Sequence, residues 1–184
     1  MQVKRAAATG SAGLSDRLAA RYGERIFRIA QPGRKRRRTA MDIRPLTESY
    51  AVSPQIALAD LAAIKAAGFT TVIDNRPDGE IPADLHTHAM RAAAEAVGLT
   101  FVANPVIGGA MTLANVEAQR AAVEAATGPV LAYCASGNRS SVVWALAHAG
   151  TRPTDELIAI PARYGYQLEP MRAQIDALAA QRKG

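Results

Sequence analysis

The sequence predicts an α/β fold: a mostly parallel sheet of four to five strands flanked by helices, with a cysteine-containing anion-binding loop at one strand end. Three observations carry that expectation. Short apolar or β-branched runs, such as Thr70-Thr71-Val72-Ile73-Asp74 and Val130-Leu131-Ala132-Tyr133, alternate with longer stretches of helical periodicity. Alternation of this kind makes strands parallel and covers both sheet faces with helices. Both runs end in polar loops, and that edge is where open α/β sheets place their sites. A chain of 184 residues with 49% hydrophobic content is large enough to bury one core.

Residues 1–40 hold eleven Lys or Arg against two acids, whereas 41–184 hold eleven against fourteen. The net charge of +6 therefore belongs to the N-terminal stretch, and the remainder has no basic character that would suggest nucleic acid. Residues 1–40 are expected to form a basic, disordered extension, with an amphipathic helix over about 14–30 from the spacing of Leu14, Leu18, Tyr22 and Ile26. The run Arg34-Lys35-Arg36-Arg37-Arg38 suits nucleic acid, anionic lipid or a transit peptide. The plainer expectation is an extension preceding a domain that spans 41–184.

From Met41 the pattern is regular. Two short strands over 43–46 and 50–52 flank a Thr47-Glu48-Ser49 turn. Ser53 followed by Pro54 reads as the cap and first residue of a helix that Gly68 ends, its apolar face being Ile56, Leu58, Leu61, Ala62 and Ile64. The next strand, 70–74, leads to the polar loop Asn75-Arg76-Pro77-Asp78-Gly79-Glu80. A helix over about 85–97, a strand over 100–103 and a helix from the Thr112 cap to 126 follow. Gly128-Pro129 opens the cysteine strand, a helix follows Arg139, and two more helices are expected over about 155–163, capped by Thr154, and 169–180.

The chemistry concentrates in Cys134-Ala135-Ser136-Gly137-Asn138-Arg139-Ser140. At a strand-to-helix junction the unpaired N–H groups of the loop and first helical turn converge on an anion and favour a thiolate over a thiol. Cys134 is the candidate nucleophile, and Arg139 supplies a fork that grips two oxygens. Ala135, Ser136, Gly137 and Asn138 form the cradle, with Gly137 allowing close backbone approach. Ser140 offers a hydroxyl to sulfur or leaving group. Arg76 is a candidate for neutralising substrate charge, and Asp78, with Glu80 and Asp74 behind it, for general acid.

One cysteine excludes an intramolecular disulfide, and a reactive free thiol suits a reducing, cytoplasmic setting. No apolar run reaches the length of a membrane span. Asp84, His86 and His88 are spaced so that a helix scatters them, so no metal is expected, and no cofactor. His148 is expected to sit favourably at a helix end and Trp144 in the core.

Ser53-Pro54-Gln55, the stretch from Ala67 to Glu80, Tyr133-Cys134-x-x-Gly137-x-Arg139-Ser140 and the later Tyr164-Gly165-Tyr166 together resemble the bacterial beta-lactamase-hydrolase-like phosphatase family. The likeness extends over about 41–178 and implies a fold like that of dual-specificity phosphatases. Members are also labelled sulfur transferases. Phosphatases of the tyrosine and dual-specificity kind usually place five residues between Cys and Arg; here there are four, as in rhodaneses. They also take an Asp from a loop some thirty residues before the cysteine, and no Asp stands between Asp84 and Asp155. Three functions stay open: a cysteine-dependent phosphatase-like hydrolase, a rhodanese-like sulfurtransferase using a Cys134 persulfide, and a non-catalytic module binding phosphorylated or anionic ligands. The expected partner is a small anionic substrate or a phosphorylated protein.

Overall fold

The computed structural model describes residues 41–182, and the predicted extension with its helix lies outside the described residues. A five-stranded sheet comprises β1 (Arg44–Pro45), β2 (Tyr50–Ser53), β3 (Thr71–Asp74), β4 (Thr100–Ala103) and β5 (Val130–Tyr133). Its order is β1-β2-β5-β3-β4. Only β1 and β2 pair antiparallel; β5 runs parallel to both neighbours, with Val52 and Ile73 opposite Ala132. The cysteine strand is therefore the middle of the sheet, as the continuous apolar run predicts for a strand covered on both faces.

The side chains of β5 alternate between two cores. Leu131 and Tyr133 join Val72, Phe101, Leu61, Ile64 and Met90 beneath α1 (Leu61–Ala66) and α2 (Thr87–Ala96). Val130 and Ala132 join Val52, Ile73, Trp144, Leu146 and Leu157 on the opposite face. That face is covered by α3 (Leu113–Glu124), α4 (Asn138–Ala147), α5 (Thr154–Ala162) and α6 (Arg172–Gln181). Arg182 locks α6 onto α4: its Nη1 donates to the carbonyls of Leu146, Ala147 and Ala149 at 2.9, 3.0 and 3.0 Å. Those carbonyls lie at the end of α4 and just past it, where intrahelical pairing runs out, although the Leu146 carbonyl also accepts the Ala149 N–H at 3.2 Å. No helix among the described residues is long and apolar enough to cross a membrane.

Several expected boundaries move for identifiable reasons. Ser53 does not cap a helix: it ends β2, and its hydroxyl donates to the Pro54 carbonyl. The chain stays non-helical through Ile56, so that the Gln55 N–H reaches the Ala135 carbonyl at 3.4 Å. Helical geometry begins only at the 3-10 turn Leu58–Asp60, and Leu58 stays exposed. Thr154 is the first residue of α5 rather than its cap, and its hydroxyl donates to Asp176 Oδ1 on α6. Thr112 caps α3 as expected, accepting the Asn115 N–H at 3.2 Å.

Trp144 is fully buried, as expected. His148 is half-buried, with its ring 5.1 Å from the Trp144 ring and its Nδ1 2.8 Å from the Trp144 carbonyl. It stands at the C-terminal cap of α4, as expected, and burial holds it below the usual histidine range.

Candidate active site

The cysteine loop rises from the carboxyl end of β5 and turns into α4. Cys134 is 1% exposed. Gly137 stands at the helix cap with φ +91°, a left-handed conformation that L side chains resist, and its N–H donates to Cys134 Sγ at 3.1 Å. Ser141 fixes the turn from inside the helix, giving both its N–H and its hydroxyl to the Gly137 carbonyl at 3.0 and 2.9 Å. Ala135, Ser136 and Asn138 face solvent around this buried sulfur.

Arg139, in the first turn of α4, lies close enough to Cys134 to interact with it electrostatically. Its Nη1 and Nη2 pair end-on with Glu80, at 2.8 and 2.6 Å, and Nη1 also donates to the Val106 carbonyl at 2.6 Å. The Glu80 hydrogen bonds raise the guanidinium further above its ordinary value. Arg139 holds Glu80 below the usual carboxylate range by the same contact. Arg76 stands one step behind, its Nε 2.9 Å from Glu80 Oε2 and its Nη2 donating to the Glu80 carbonyl. The β3 loop thus supplies the clamp on Arg139, and Arg76 reaches that clamp rather than the cysteine loop.

The other nominated residues are distributed as follows. Asp78 Oδ1 accepts the Thr87 N–H at 2.7 Å and the Thr87 hydroxyl at 2.8 Å, satisfying the first donor of α2. These bonds hold Asp78 below the usual carboxylate range, a state that accepts protons poorly and donates none near neutrality. Asp74 is buried, and desolvation pushes it up to about 6 despite the Arg76 N–H bonded to its Oδ1. Ser140 is fully buried, and its hydroxyl has no hydrogen-bond partner among the described residues. His86 Nε2 lies against the Ile81 carbonyl, and no group of His, Cys, Asp and Glu among the described residues has metal-binding geometry.

Sequence reasoning did not assign the roles of four contributors. Glu80 was visible only as a reserve acid, although an acidic residue in a loop beside the cysteine strand is the signal that an arginine there has a partner. Tyr166 and Arg44 both hold the Ser136 carbonyl, from the side of the loop away from Glu80; Tyr166 donates at 2.7 Å and Arg44 at 3.3 Å. They line an open groove of about 650 Å³ with Pro54, Ser136 and Asn138. Gln119 is a fully buried polar residue of α3. Its Oε1 accepts from Asn75 and Asn104 at 3.0 and 3.1 Å, and its Nε2 donates to Tyr50.

The arrangement can hold an anion between the loop and Arg139, with the Cys134 sulfur beside it. Comparison with known proteins agrees with the fold that carries it. A beta-lactamase hydrolase-like protein of Xylella fastidiosa (strain Temecula1) is 33% identical over 130 residues, covering 70% of this chain and 30% of that protein's length. Among solved structures, a candidate phosphatase from Neisseria meningitidis is 34% identical, with a TM-score of 0.65 over 75% of this chain and 99% of the other. P. aeruginosa TpbA, seen as a cysteine-to-serine variant with phosphotyrosine, shares the fold at 15% identity, with a TM-score of 0.56 over 77% of this chain and 90% of the other. Residues 42–151 match the family described as beta-lactamase hydrolase-like protein, phosphatase-like domain, and with that match the chain belongs to this family.

Proposed function

We propose that the chain is a cysteine-dependent hydrolase of phosphate monoesters. One observation carries the reading: Cys134 Sγ, at the foot of α4, accepts the Gly137 N–H, with Arg139 beside it and clamped by Glu80. The Cys134 thiolate attacks phosphorus, forming an S–P bond as the P–O bond to the leaving group breaks. Loop amides and Arg139 hold the three remaining phosphoryl oxygens as charge shifts among them. Water then cleaves the S–P bond, returning the thiolate and releasing inorganic phosphate. The buried, unpartnered Ser140 hydroxyl is assigned to the sulfur as it leaves phosphorus. The phosphotyrosine seen on TpbA supports a phosphorylated substrate.

Proton donation distinguishes this scheme from one built on a general acid. Asp78 is occupied by Thr87, Glu80 by Arg139, and Asp74 is buried, so the leaving group departs without a carboxylic acid in place. Esters of acidic alcohols, phenols above all, are then the favoured substrates.

The spacing of four residues between Cys134 and Arg139 favours a second reading, in which a tighter ring carries a sulfane sulfur as a Cys134 persulfide. Turnover of p-nitrophenyl phosphate and intact mass after thiosulfate, each on the full chain and on Cys134→Ser, separate the two. Phosphate release that vanishes in Cys134→Ser is the expected result. A cysteine-dependent gain of one sulfur without phosphate release overturns it, and anion binding with neither reaction leaves a binding module.

A further inference from the structure

We propose that Tyr166, backed by Arg44, is a positioning residue that stabilises the Cys134 thiolate through a single peptide group, Ser136–Gly137. The inference rests on the thiolate of the preceding section but not on its substrate. A trans peptide is planar, so its C=O and N–H point in opposite directions, and no described peptide bond is cis. Here the two ends have different partners. The Ser136 carbonyl accepts from the Tyr166 hydroxyl at 2.7 Å and from Arg44 Nη1 at 3.3 Å. The N–H of the same peptide donates to Cys134 Sγ at 3.1 Å.

The peptide needs an external hold because it ends in glycine. Gly137 sits at φ +91°, and glycine exchanges positive for negative φ at little cost. A flip of this peptide would replace the donor facing sulfur by a carbonyl oxygen, turning stabilisation of negative charge into repulsion. Tyr166 opposes that flip by bonding the carbonyl, and its hydroxyl fills the space a Cβ on Gly137 would need, so the position must stay glycine. Tyr166 is itself held, because Arg44 donates to its hydroxyl and lies 5.1 Å from its ring centroid. Asp42 in turn fixes Arg44 through Nε at 3.0 Å and Nη2 at 2.5 Å. The support comes from β1 and the segment after α5, whereas the clamp on Arg139 comes from the β3 and β4 loops. Cysteine and arginine are thus set from opposite sides of the central strand.

The test is a titration of thiolate absorbance near 240 nm, taken as the full chain minus Cys134→Ser, between pH 4 and 9. Besides Arg139, Tyr50 and Tyr166 interact with Cys134. Burial raises both tyrosines, Tyr166 to about 12, so neither titrates in this window. Tyr166→Phe keeps the ring and removes one hydroxyl. The expected result is a profile moved to higher pH, with the thiolate-to-thiol ratio at neutral pH down about tenfold, in line with loss of a hydrogen bond to a charged group. Arg44→Gln is expected to move it in the same direction by less, and it decides the matter if Tyr166→Phe does not fold. Wild-type profiles in the folded variants overturn the proposal. A chain that releases phosphate normally with unmoved profiles overturns this inference alone; one that releases none, with moved profiles, overturns only the phosphatase reading.

Discussion

Glu80 holds Arg139 end-on, carboxylate oxygens against Nη1 and Nη2 at 2.8 and 2.6 Å, across 59 positions of sequence. End-on pairing leaves Nε outside the ion pair, so the guanidinium is oriented by two nitrogens while its side edge remains for an anion. The Val106 carbonyl on Nη1 completes the hold. On the proposed function, this hold would preorganise Arg139 for an anion.

Glu80→Gln keeps the shape and removes the charge. The expected outcome is a loss of about ten- to a hundredfold in kcat/KM for an aryl phosphate, the range in which misplacement of a substrate-gripping group falls. Vanadate or phosphate affinity measured alongside gives the alternative its chance: a tighter-binding variant would mean that Glu80 competes with substrate for the fork.

Asp78 has a structural task at the start of α2. Its carboxylate accepts the N–H of Thr87, the first residue of α2. Asp78→Ala is expected to cost about 1 kcal/mol of stability, as loss of a helix cap does, and to leave kcat for an aryl phosphate within about twofold. Because the Thr87 bonds lower its folded value, this contribution is present above the ordinary carboxylate range and is lost as pH falls through the folded value. A hundredfold fall in kcat at unchanged stability would restore Asp78 as general acid.

Asp74 runs the other way. Desolvation raises it to about 6 from the ordinary 3.8, so the folded chain holds this proton more tightly than the unfolded one. Stability from that difference is complete below about pH 4 and is lost as pH rises through about 6. Asp74→Asn keeps an oxygen for the Arg76 N–H and brings an amide opposite Tyr133, its partner across β3 and β5. Urea denaturation should find the variant more stable than wild type at pH 8, by at most about 3 kcal/mol, and no more stable at pH 4. An advantage that is constant across pH would show that charge is not its cause.

How much of this was legible follows from how local each signal is. The strands around Val72 and Leu131 and the Thr112 cap announce themselves within a few residues, and so did the turn from Cys134 into α4. Ser53-Pro54 carried the same local signature of a helix start and misled, because the demand that overrode it, a bond from Gln55 to Ala135, joins positions eighty apart. Glu80 with Arg139 and Tyr166 with Ser136 are also long-range pairs, 59 and 30 positions apart. Composition and periodicity specify faces and ends of elements, whereas the partners of a charged or polar side chain are chosen by the sheet order.

Gln119 is the case in which a polar residue in a helix does the joining. It is fully buried, with Tyr50 of β2 on its amide nitrogen and Asn75 and Asn104, at the ends of β3 and β4, on its oxygen. Asn75 in turn accepts the Val106 N–H on its backbone carbonyl at 3.2 Å, and Val106 holds Arg139. Gln119→Met nearly preserves volume but strips a partner from three buried groups. Asn75 and Asn104 keep second acceptors in the Asn104 and Asn115 carbonyls, so the Tyr50 hydroxyl bears most of the loss. A destabilisation of about 2 kcal/mol is expected, the cost of leaving one buried polar group unpaired. Guanidinium denaturation should show the midpoint falling with its slope unchanged. Because Val106 is tied to the same loop, the variant should also lower aryl phosphate kcat/KM severalfold. A stability change below about 0.5 kcal/mol would place the network outside the determinants of the fold, within the range of ordinary surface substitutions.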